Sequence, residues 1–434
     1  MQLLHFDCNA TTAASEPVIA AMLPWLGRPG ANPSATHPSG RAAGRAVREA
    51  RAQVAAMIGA TEPASIVFTA SGSESTAMAF GSAMAAGALD PAGPRTDVAI
   101  STAEHSATRK CAARAASAGE VIQIPVNRHG DLDKEAALAA IQRRPALVSL
   151  ILLNNETGVI TDFDGLGAAA QAAGVLLHID AVQAPGKTPI DVAALDCDYL
   201  SLSGHKFHGP RGIGALYVRP GAPVTPLMLG GPQENERRAG TENVPGIVGL
   251  GVAAEAAAER ASSEASQSEL RARRDRLEAA ILASCPGSFV HGIGAGRRAA
   301  NTSSIGFDLT GTGLDATALL GMLHDGGLEV SAGSACNSTK MAPSPVLRAM
   351  GCDDLAASCA LPTRPSRPSR PELCSTAVGR AHTPDPRSSR IPVSLILPRG
   401  DLGRPWRPHF EGSRDHSISP LSEVRRRECP GPAL

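Results

Sequence analysis

The chain has 434 residues, enough to bury a large core and to form two domains. Its 41 basic and 41 acidic residues leave a formal net charge of zero, so no charge excess indicates binding to nucleic acid or to a membrane surface. Apolar stretches such as VSLILL are too short to span a bilayer, the start MQLLHFDCNATT lacks a signal-peptide pattern, and the nine cysteines form no CxxC pair. We therefore expect a cytoplasmic protein without a zinc ribbon or a disulfide framework.

The first 250 residues alternate short strand-like segments with alanine-rich helical runs. The predicted strands are IVFTAS, DVAIS, EVIQIPV, ALVSLILL, GVLLHID, YLSLS and GALYV. Near-continuous apolar strands separated by helices predict an α/β fold with a mostly parallel sheet covered by helices on both faces. The run from Ile247 to about Leu282 has few helix breakers and predicts one long helix. It leads to a smaller α/β domain, in which NTSSIGFDL and GLEVSAG are further strands.

This pattern divides the chain into three segments. We predict a large domain over residues 1–250, whose first segment is free to pack with the smaller domain, and a small domain over residues 251–360. Residues 361–434 contain 13 prolines and 13 arginines without sustained periodicity, which predicts a disordered tail.

Polar residues follow several predicted strands directly, at the sheet edge where α/β proteins bind their ligands. They are GSES at residues 72–75, His105 in TAEH, Asn154 to Glu156 in NNETG, Asp180 with Gln183, and the Ser203, His205 and Lys206 group. Each alone also has a structural reading, as a helix cap, a core histidine or a turn. Small residues and hydroxyls before a helix, as in GSES, suit phosphate binding.

Lys206 is one of only five lysines in the chain. A lysine, unlike an arginine, can lose its proton in a protein and attack a carbonyl group. Pyridoxal phosphate needs such a lysine for its aldehyde, a carboxylate for its ring nitrogen, a flat group against its ring and donors for its phosphate. Lys206, Asp180 and His105 fit the first three functions. The pair Ser73 and Ser203 fits the fourth.

The motifs resemble those of the cysteine desulfurases, which are aminotransferase class V enzymes with the fold-type I pyridoxal-phosphate-dependent transferase fold. The resemblance covers about 355 residues, through FDCNATT, ANPSATHPSGR, TAEH, NNETG, HIDAVQAPGK, SGHKFHGPRGIGALYV, RRAGTENVPGIVGLG and SAGSACNS. It implies that Lys206 binds the cofactor, that Asp180 pairs with its ring nitrogen and that His105 stacks on the ring and moves protons. Positions matching residues that contact the phenolic oxygen or the substrate are Gln183 and Asn155. Positions matching phosphate-binding residues are Gly72, Ser73, Ser203 and His205.

Two further residues carry implied roles. Thr241 matches a threonine that reaches the phosphate bound by the partner subunit, which implies a homodimer. Cys336, in SAGSACNS, matches the cysteine that takes sulfur from L-cysteine as a persulfide and leaves L-alanine; its structural alternative is a buried cysteine. The sulfur would pass to an acceptor or scaffold protein for iron–sulfur clusters, thiolated tRNA or another product. The motif leaves open whether Cys336 also contacts an iron–sulfur cluster, and it predicts no other metal site.

The tail departs from the family pattern. Family members continue with an arginine that holds the substrate carboxylate, whereas this chain reads PTRPSRPSRPELC, as a reading-frame change near codon 361 would give. Arg364 lies nearest to the missing arginine. Two alternatives to a working cysteine desulfurase therefore stay open: a selenocysteine lyase or related β-lyase, and a cofactor-binding but inactive homologue.

Overall fold

The structure is a computed structural model that describes residues 3–115, 117–307, 316–332, 344–352 and 356–360. Its strands are β1 (Leu4–His5), β2 (Ile66–Thr69), β3 (Val98–Ser101), β4 (Val121–Ile124), β5 (Leu147–Ile151), β6 (Leu176–Asp180), β7 (Tyr199–Ser203), β8 (Gly214–Val218), β9 (Ser288–Val290), β10 (Thr302–Phe307), β11 (Leu328–Glu329), β12 (Ser331–Ala332) and β13 (Ala356–Ala360). Its helices are α1 (Glu16–Leu26), α2 (Pro38–Met57), α3 (Gly72–Ala88), α4 (Ser106–Ala115), α5 (Lys134–Gln142), α6 (Leu166–Ala173), α7 (Val192–Leu195), α8 (Val244–Ser262), α9 (Glu264–Ser284), α10 (Ala316–Asp325) and α11 (Pro345–Ala349).

Seven strands form the large sheet, in the order β2-β8-β7-β6-β5-β3-β4. Neighbouring strands from β7 to β4 are parallel, and β8 runs antiparallel to both β2 and β7. Each of the seven predicted strands lies in this sheet, so the prediction of a mostly parallel sheet is confirmed.

The large sheet is buried on both faces. Successive residues of β2 show this, because Ile66 and Phe68 belong to one buried apolar cluster and Val67 to another. The first cluster also contains residues of α2 and α8, and the second contains residues of α3. Helices therefore cover both faces, which explains why the strands are apolar throughout rather than alternating.

The single long helix predicted from Ile247 to Leu282 is wrong, because the structure divides this run into α8 and α9. The break lies at Ser263, whose backbone is extended and whose side chain accepts a hydrogen bond from Ser266 N. A serine in this role satisfies one of the free N–H groups of a helix start. The run SSEASQSE contains no Gly or Pro, so a continuous helix was expected. Its Ser263 is nevertheless a residue type that starts a new helix.

A second, smaller set of strands follows α9. Strands β9, β10, β12 and β13 form an antiparallel sheet in the order β12-β13-β10-β9, and β1 pairs in parallel with β11. Phe6, Leu277, Ile305 and Leu323 lie in one apolar cluster here, so the start of the chain packs among residues from its later part. None of the described helices is long and apolar enough to cross a membrane. The domain bounds at residues 250 and 360 stay predictions.

Candidate active site

The polar residues predicted at strand ends meet at one edge of the large sheet. Ile151, Asp180 and Ser201 occupy paired positions on three adjacent parallel strands, so the segments that follow these strands leave the sheet side by side. Lys206 lies in a short 3-10 turn directly after β7. The parallel register therefore brings together residues far apart in sequence.

Asp180 is buried at the end of β6, where its carboxylate accepts a hydrogen bond of 3.0 Å from Val182 N. Burial raises the pKa of Asp180, whereas positive charge on His105 and on Lys206 lowers it. Positive charge on either neighbour stabilises the ionised carboxylate of Asp180, and the ionised form is the one that can pair with a protonated ring nitrogen.

A second acid, Glu104, lies beneath this site. Its side chain is 1% exposed and accepts a hydrogen bond of 2.7 Å from Ile151 N, in the strand next to Asp180. Burial raises the pKa of Glu104 well above its usual range, and the Asp180 charge raises it further. Two neighbouring acids in such environments divide their roles. Burial raises the pKa of both acids, and the positive charges near Asp180 oppose this rise, so Asp180 is the better suited of the two to carry the negative charge.

Lys206 is held by the first segment of the chain. Its Nζ donates to the main-chain oxygen of Asn9 at 2.7 Å and of Ala10 at 3.0 Å. Further bonds fix the turn: Thr12 N donates to His205 O at 2.8 Å, and His208 N donates to Thr12 Oγ1 at 2.7 Å. The motifs FDCNATT and SGHKFHG, nearly 200 residues apart, thus form one structural unit.

His105 follows β3 and directly precedes α4. Its Nδ1 accepts a hydrogen bond of 3.2 Å from Ala107 N, so the neutral ring carries its proton on Nε2. Burial lowers the pKa of His105, the Asp180 carboxylate raises it and Lys206 lowers it. His105 is thus a partly buried ring next to the Asp180 and Lys206 pair, suited to stack on a flat cofactor and to pass a proton.

The predicted phosphate-binding residues lie around the start of α3. Ser71 caps this helix by accepting a hydrogen bond from Glu74 N, and Gly72 is buried against β7. A side-chain Cβ at Gly72 would lie 2.6 Å from Val182 Cγ2 and 3.3 Å from Ser203 Cβ, so only glycine allows this packing. The helix start brings its free N–H groups and Ser73 close to Ser203, which suits an anion.

His205 belongs to the same region. Its Nδ1 lies 3.1 Å from Thr11 Oγ1, and burial together with the charge of Lys206 lowers its pKa to about 4. The ring is therefore neutral near pH 7 and would reach a phosphate as a hydrogen-bond donor rather than as a cation.

The NNETG turn after β5 is built by Asn154 rather than Asn155. Asn154 Oδ1 accepts hydrogen bonds of 3.0 Å from Glu156 N and Thr157 N, and Asn154 Nδ2 donates to Ala103 O at 3.0 Å. This use of Asn154 leaves the neighbouring Asn155 as the half-buried asparagine of the pair.

Gln183, three residues beyond Asp180, is buried and donates from Nε2 to Asn9 O at 2.8 Å. It thus shares its acceptor with Lys206. Asn9 was not singled out by the sequence, although its motif FDCNATT was, because nothing local marks its contacts with residues more than 140 positions away.

Thr241 lies on the exposed loop that precedes α8. Two ion pairs hold this loop. Glu234 is bound by Arg51 of α2 through two hydrogen bonds of 2.6 Å, and Arg238 donates to Glu74 of α3 at 2.9 Å. Residues 234 to 236 have φ between 51° and 63°, a left-handed turn that non-glycine residues adopt at a cost and that these contacts stabilise.

Cys336 lies outside the described residues, as does Arg364. The next described segment after Cys336 begins at Ser344, whose hydroxyl donates to the buried carboxylate of Glu156 in the NNETG turn. Val346, Leu347 and Met350 of this segment pack against Ala103, beside His105. The chain that follows the cysteine motif is therefore attached to the same sheet edge.

The residues present fit pyridoxal phosphate. A primary amine, a buried carboxylate, a half-buried imidazole ring, and a helix start flanked by hydroxyls meet at one edge. Each of the four requirements of the cofactor thus has a matching group, although the assignment of individual residues stays a prediction.

Comparison with known proteins agrees with this geometry. The family model "Aminotransferase class-V" matches residues 4–355. A cysteine desulfurase of Cereibacter sphaeroides is 45% identical over 352 residues, which cover 81% of this chain and 87% of the relative. A solved NifS-like protein superposes with a TM-score of 0.77 at 28% identity, covering 88% of this chain and 98% of that protein. Another solved protein, SspA in complex with cysteine, gives a TM-score of 0.70 at 31% identity, covering 83% and 99%.

Proposed function

The chain belongs to the aminotransferase class-V family and, within it, to the cysteine desulfurases, and from this we propose that it converts L-cysteine to L-alanine and transfers the sulfur to Cys336. The fold is that of a fold-type I pyridoxal-phosphate enzyme, and the cofactor is pyridoxal phosphate. The relative from Cereibacter sphaeroides is a cysteine desulfurase, and the solved SspA structure contains cysteine, which favours L-cysteine over selenocysteine as the substrate.

Lys206, Asp180 and His105 would hold the cofactor's aldehyde, ring nitrogen and ring face, and the start of α3 with Ser203 and His205 would hold its phosphate. When bound, the cofactor supplies an electron sink that makes the α-proton of an amino acid acidic. The buried carboxylate of Asp180 would favour a protonated ring nitrogen, because a negative charge in a low-dielectric site stabilises a neighbouring positive charge.

The chain's own groups then move the protons. Lys206 Nζ, held by two main-chain carbonyl oxygens, would take up the α-proton of L-cysteine and return it when L-alanine forms. His105, whose neutral ring has its proton on Nε2, would exchange a second proton with the substrate. Both groups work as acid–base catalysts at a site partly closed to water.

Sulfur transfer needs a nucleophile, and we assign it to Cys336. Its thiolate attacks the substrate Sγ, so that an S–S bond forms while the Cβ–Sγ bond breaks. The electron pair of the broken bond stays on Cβ, which takes up a proton to give L-alanine. The persulfide on Cys336 would then pass its outer sulfur to a thiol of an acceptor or scaffold protein in iron–sulfur cluster assembly or a related process.

We also propose that the protein is a homodimer. Next to the Thr241 loop, three apolar side chains are exposed: Leu227 by 48%, Met228 by 46% and Leu229 by 86%. Consecutive exposed apolar residues indicate a surface that is covered by another protein. A second copy there would bring Thr241 to the neighbouring site, as the family resemblance implies.

The observation that carries the proposal is the Lys206 amine held beside the buried Asp180. Lys206→Ala should abolish the absorbance of lysine-bound cofactor and all alanine formation, whereas Lys134→Ala, at a surface lysine paired with Asp162, should change neither. Borohydride reduction followed by peptide mass mapping should locate the cofactor on Lys206 in the parent protein. A cofactor still fixed to a lysine in the Lys206→Ala variant would exclude this assignment.

A further inference from the structure

A second lysine, Lys187, lies in the same network without an acidic partner. It follows Gln183 by four residues, and it is only 5% exposed. No carboxylate in the described part of the chain forms an ion pair with it. Burial and the charge of Lys206 lower the pKa of Lys187 to about 7. Burial of an amine without an acidic partner costs desolvation free energy, so we ask what its hydrogen bonds contribute to the site.

Those contacts are with the two residues that surround Lys206. Lys187 Nζ donates to Gln183 Oε1 at 2.5 Å and to Asn9 Oδ1 at 3.0 Å. The amine donates both hydrogen bonds, and in its protonated form it cannot accept any, so an oxygen rather than a nitrogen lies at both positions. It therefore determines the orientation of two side-chain amides at once.

In this orientation every polar atom of the Asn9 side chain forms a hydrogen bond. With Oδ1 bound to Lys187, Asn9 Nδ2 donates to Asn155 O and to Thr302 Oγ1, each at 3.0 Å. The main-chain oxygen of Asn9 accepts from both Gln183 Nε2 and Lys206 Nζ. Asn9 thus binds four parts of the site: the turn after β5, the turn after β6, strand β10 and Lys206.

We propose that Lys187 is a positioning residue, which orients the amides of Asn9 and Gln183 and, through the main chain of Asn9, places the amine of Lys206 for the cofactor. This inference rests on the proposed function. Lys187 touches neither reacting atoms nor cofactor in this scheme, and it acts only through its two neighbours. Without it, Gln183 Oε1 and Asn9 Oδ1 lose a buried donor and either amide is free to turn over.

The test is a double-mutant cycle on cofactor binding. Lys187→Met keeps the length of the side chain and removes its donors, Gln183→Ala removes one of its acceptors, and the third protein carries both changes. Affinity for added pyridoxal phosphate is measured by fluorescence quenching, and the absorbance maximum of the bound cofactor is recorded from pH 6 to 9. Lys134→Met, at the surface, is the matched control.

Lys187→Met should bind the cofactor about tenfold more weakly and shift both its absorbance maximum and the pH dependence of that absorbance, because a hydrogen bond to a charged group is lost. In the Gln183→Ala background, the same change should have a much smaller effect, since residues that act through each other are not additive. Circular dichroism checks folding. If Lys187→Met does not fold, Lys187→Gln keeps an amide donor and should give an intermediate shift.

Unchanged affinity and spectrum in a folded Lys187→Met protein would overturn the inference, as would strictly additive effects in the cycle. A parent protein that binds no pyridoxal phosphate would instead overturn the proposed function, and the inference with it. The two failures are thus distinguished by the parent measurement alone.

Discussion

The lowered pKa of Lys187 predicts a specific dependence of stability on pH. In the unfolded chain this amine has a pKa near 10.5, and in the folded protein burial and Lys206 lower the pKa to about 7. Between these two values the unfolded state binds more protons than the folded state. The free energy of unfolding must therefore rise as pH rises through this window, and the contribution is constant below pH 7 and above pH 10.5.

The size of the effect follows from the same two values. The whole difference corresponds to about 5 kcal/mol at about 1.4 kcal/mol per pH unit, and the part between pH 7 and pH 9 is about 2 kcal/mol. The charged neighbours of Lys187 are Lys206 and Cys8. Burial raises the pKa of Cys8 to about 11, so the folded protein keeps this thiol protonated up to pH 9.

The assay compares cofactor-free parent and Lys187→Met proteins by urea denaturation, followed by far-ultraviolet circular dichroism at equal protein concentration. All other titrating groups are common to both proteins and cancel in the difference between their unfolding free energies. That difference should change in favour of the parent by about 2 kcal/mol from pH 7 to pH 9. If the difference in unfolding free energy between the two proteins changes by less than about 0.5 kcal/mol from pH 7 to pH 9, Lys187 is not a buried amine with a lowered pKa. This conclusion does not depend on the stability of either protein at a single pH.

Two other predictions concern the thiol and the Thr241 loop. Cys336→Ser should bind the cofactor as the parent does but release no alanine or sulfide from L-cysteine, because a hydroxyl is a poor nucleophile toward sulfur; turnover near the parent rate would mean that another cysteine takes the sulfur. Arg51→Met should lower the free energy of unfolding by about 3 kcal/mol, because it leaves the buried Glu234 carboxylate unpaired, and adding Glu234→Gln should restore much of the loss. The surface variant Arg143→Met, which breaks an exposed pair, should cost much less in the same denaturation assay, and an equal loss in both proteins would contradict the role of burial.

The parts of the fold that the sequence predicts are those with a local signal. Each strand of the large sheet is a short apolar run, and the end of a parallel strand predicts where Asp180 and Lys206 lie, because such ends share one edge. The capping signal at Ser263 is also local, but the long helix-forming run around it favours a continuous helix. Contacts between distant segments have no such signal. The hydrogen bond from Lys206 to Asn9 joins residues 197 positions apart, and no periodicity predicts it.

Lys187 shows that the burial of a residue is also hard to predict from the sequence. Lys187 is one of only five lysines in the chain, and the sequence shows that it follows Gln183 by four residues. What the sequence does not contain is the depth of its burial, which arises only when the first segment of the chain lies across the sheet edge. The chemistry of Lys187 is therefore a property of the tertiary structure, whereas that of Lys206 follows from its place after a strand.

The pairing of β1 with β11 has a consequence for the order in which the protein matures. His5 and Glu329 contact each other across 324 residues of chain. At roughly 5 to 20 residues per second of synthesis, the first strand waits about 20 to 60 s before its partner exists. The described strands of the large sheet all end by residue 218, so this sheet can begin to form in that interval. Asn9, which donates to Thr302 and accepts from Lys206, can complete its contacts only after Thr302 has been synthesised.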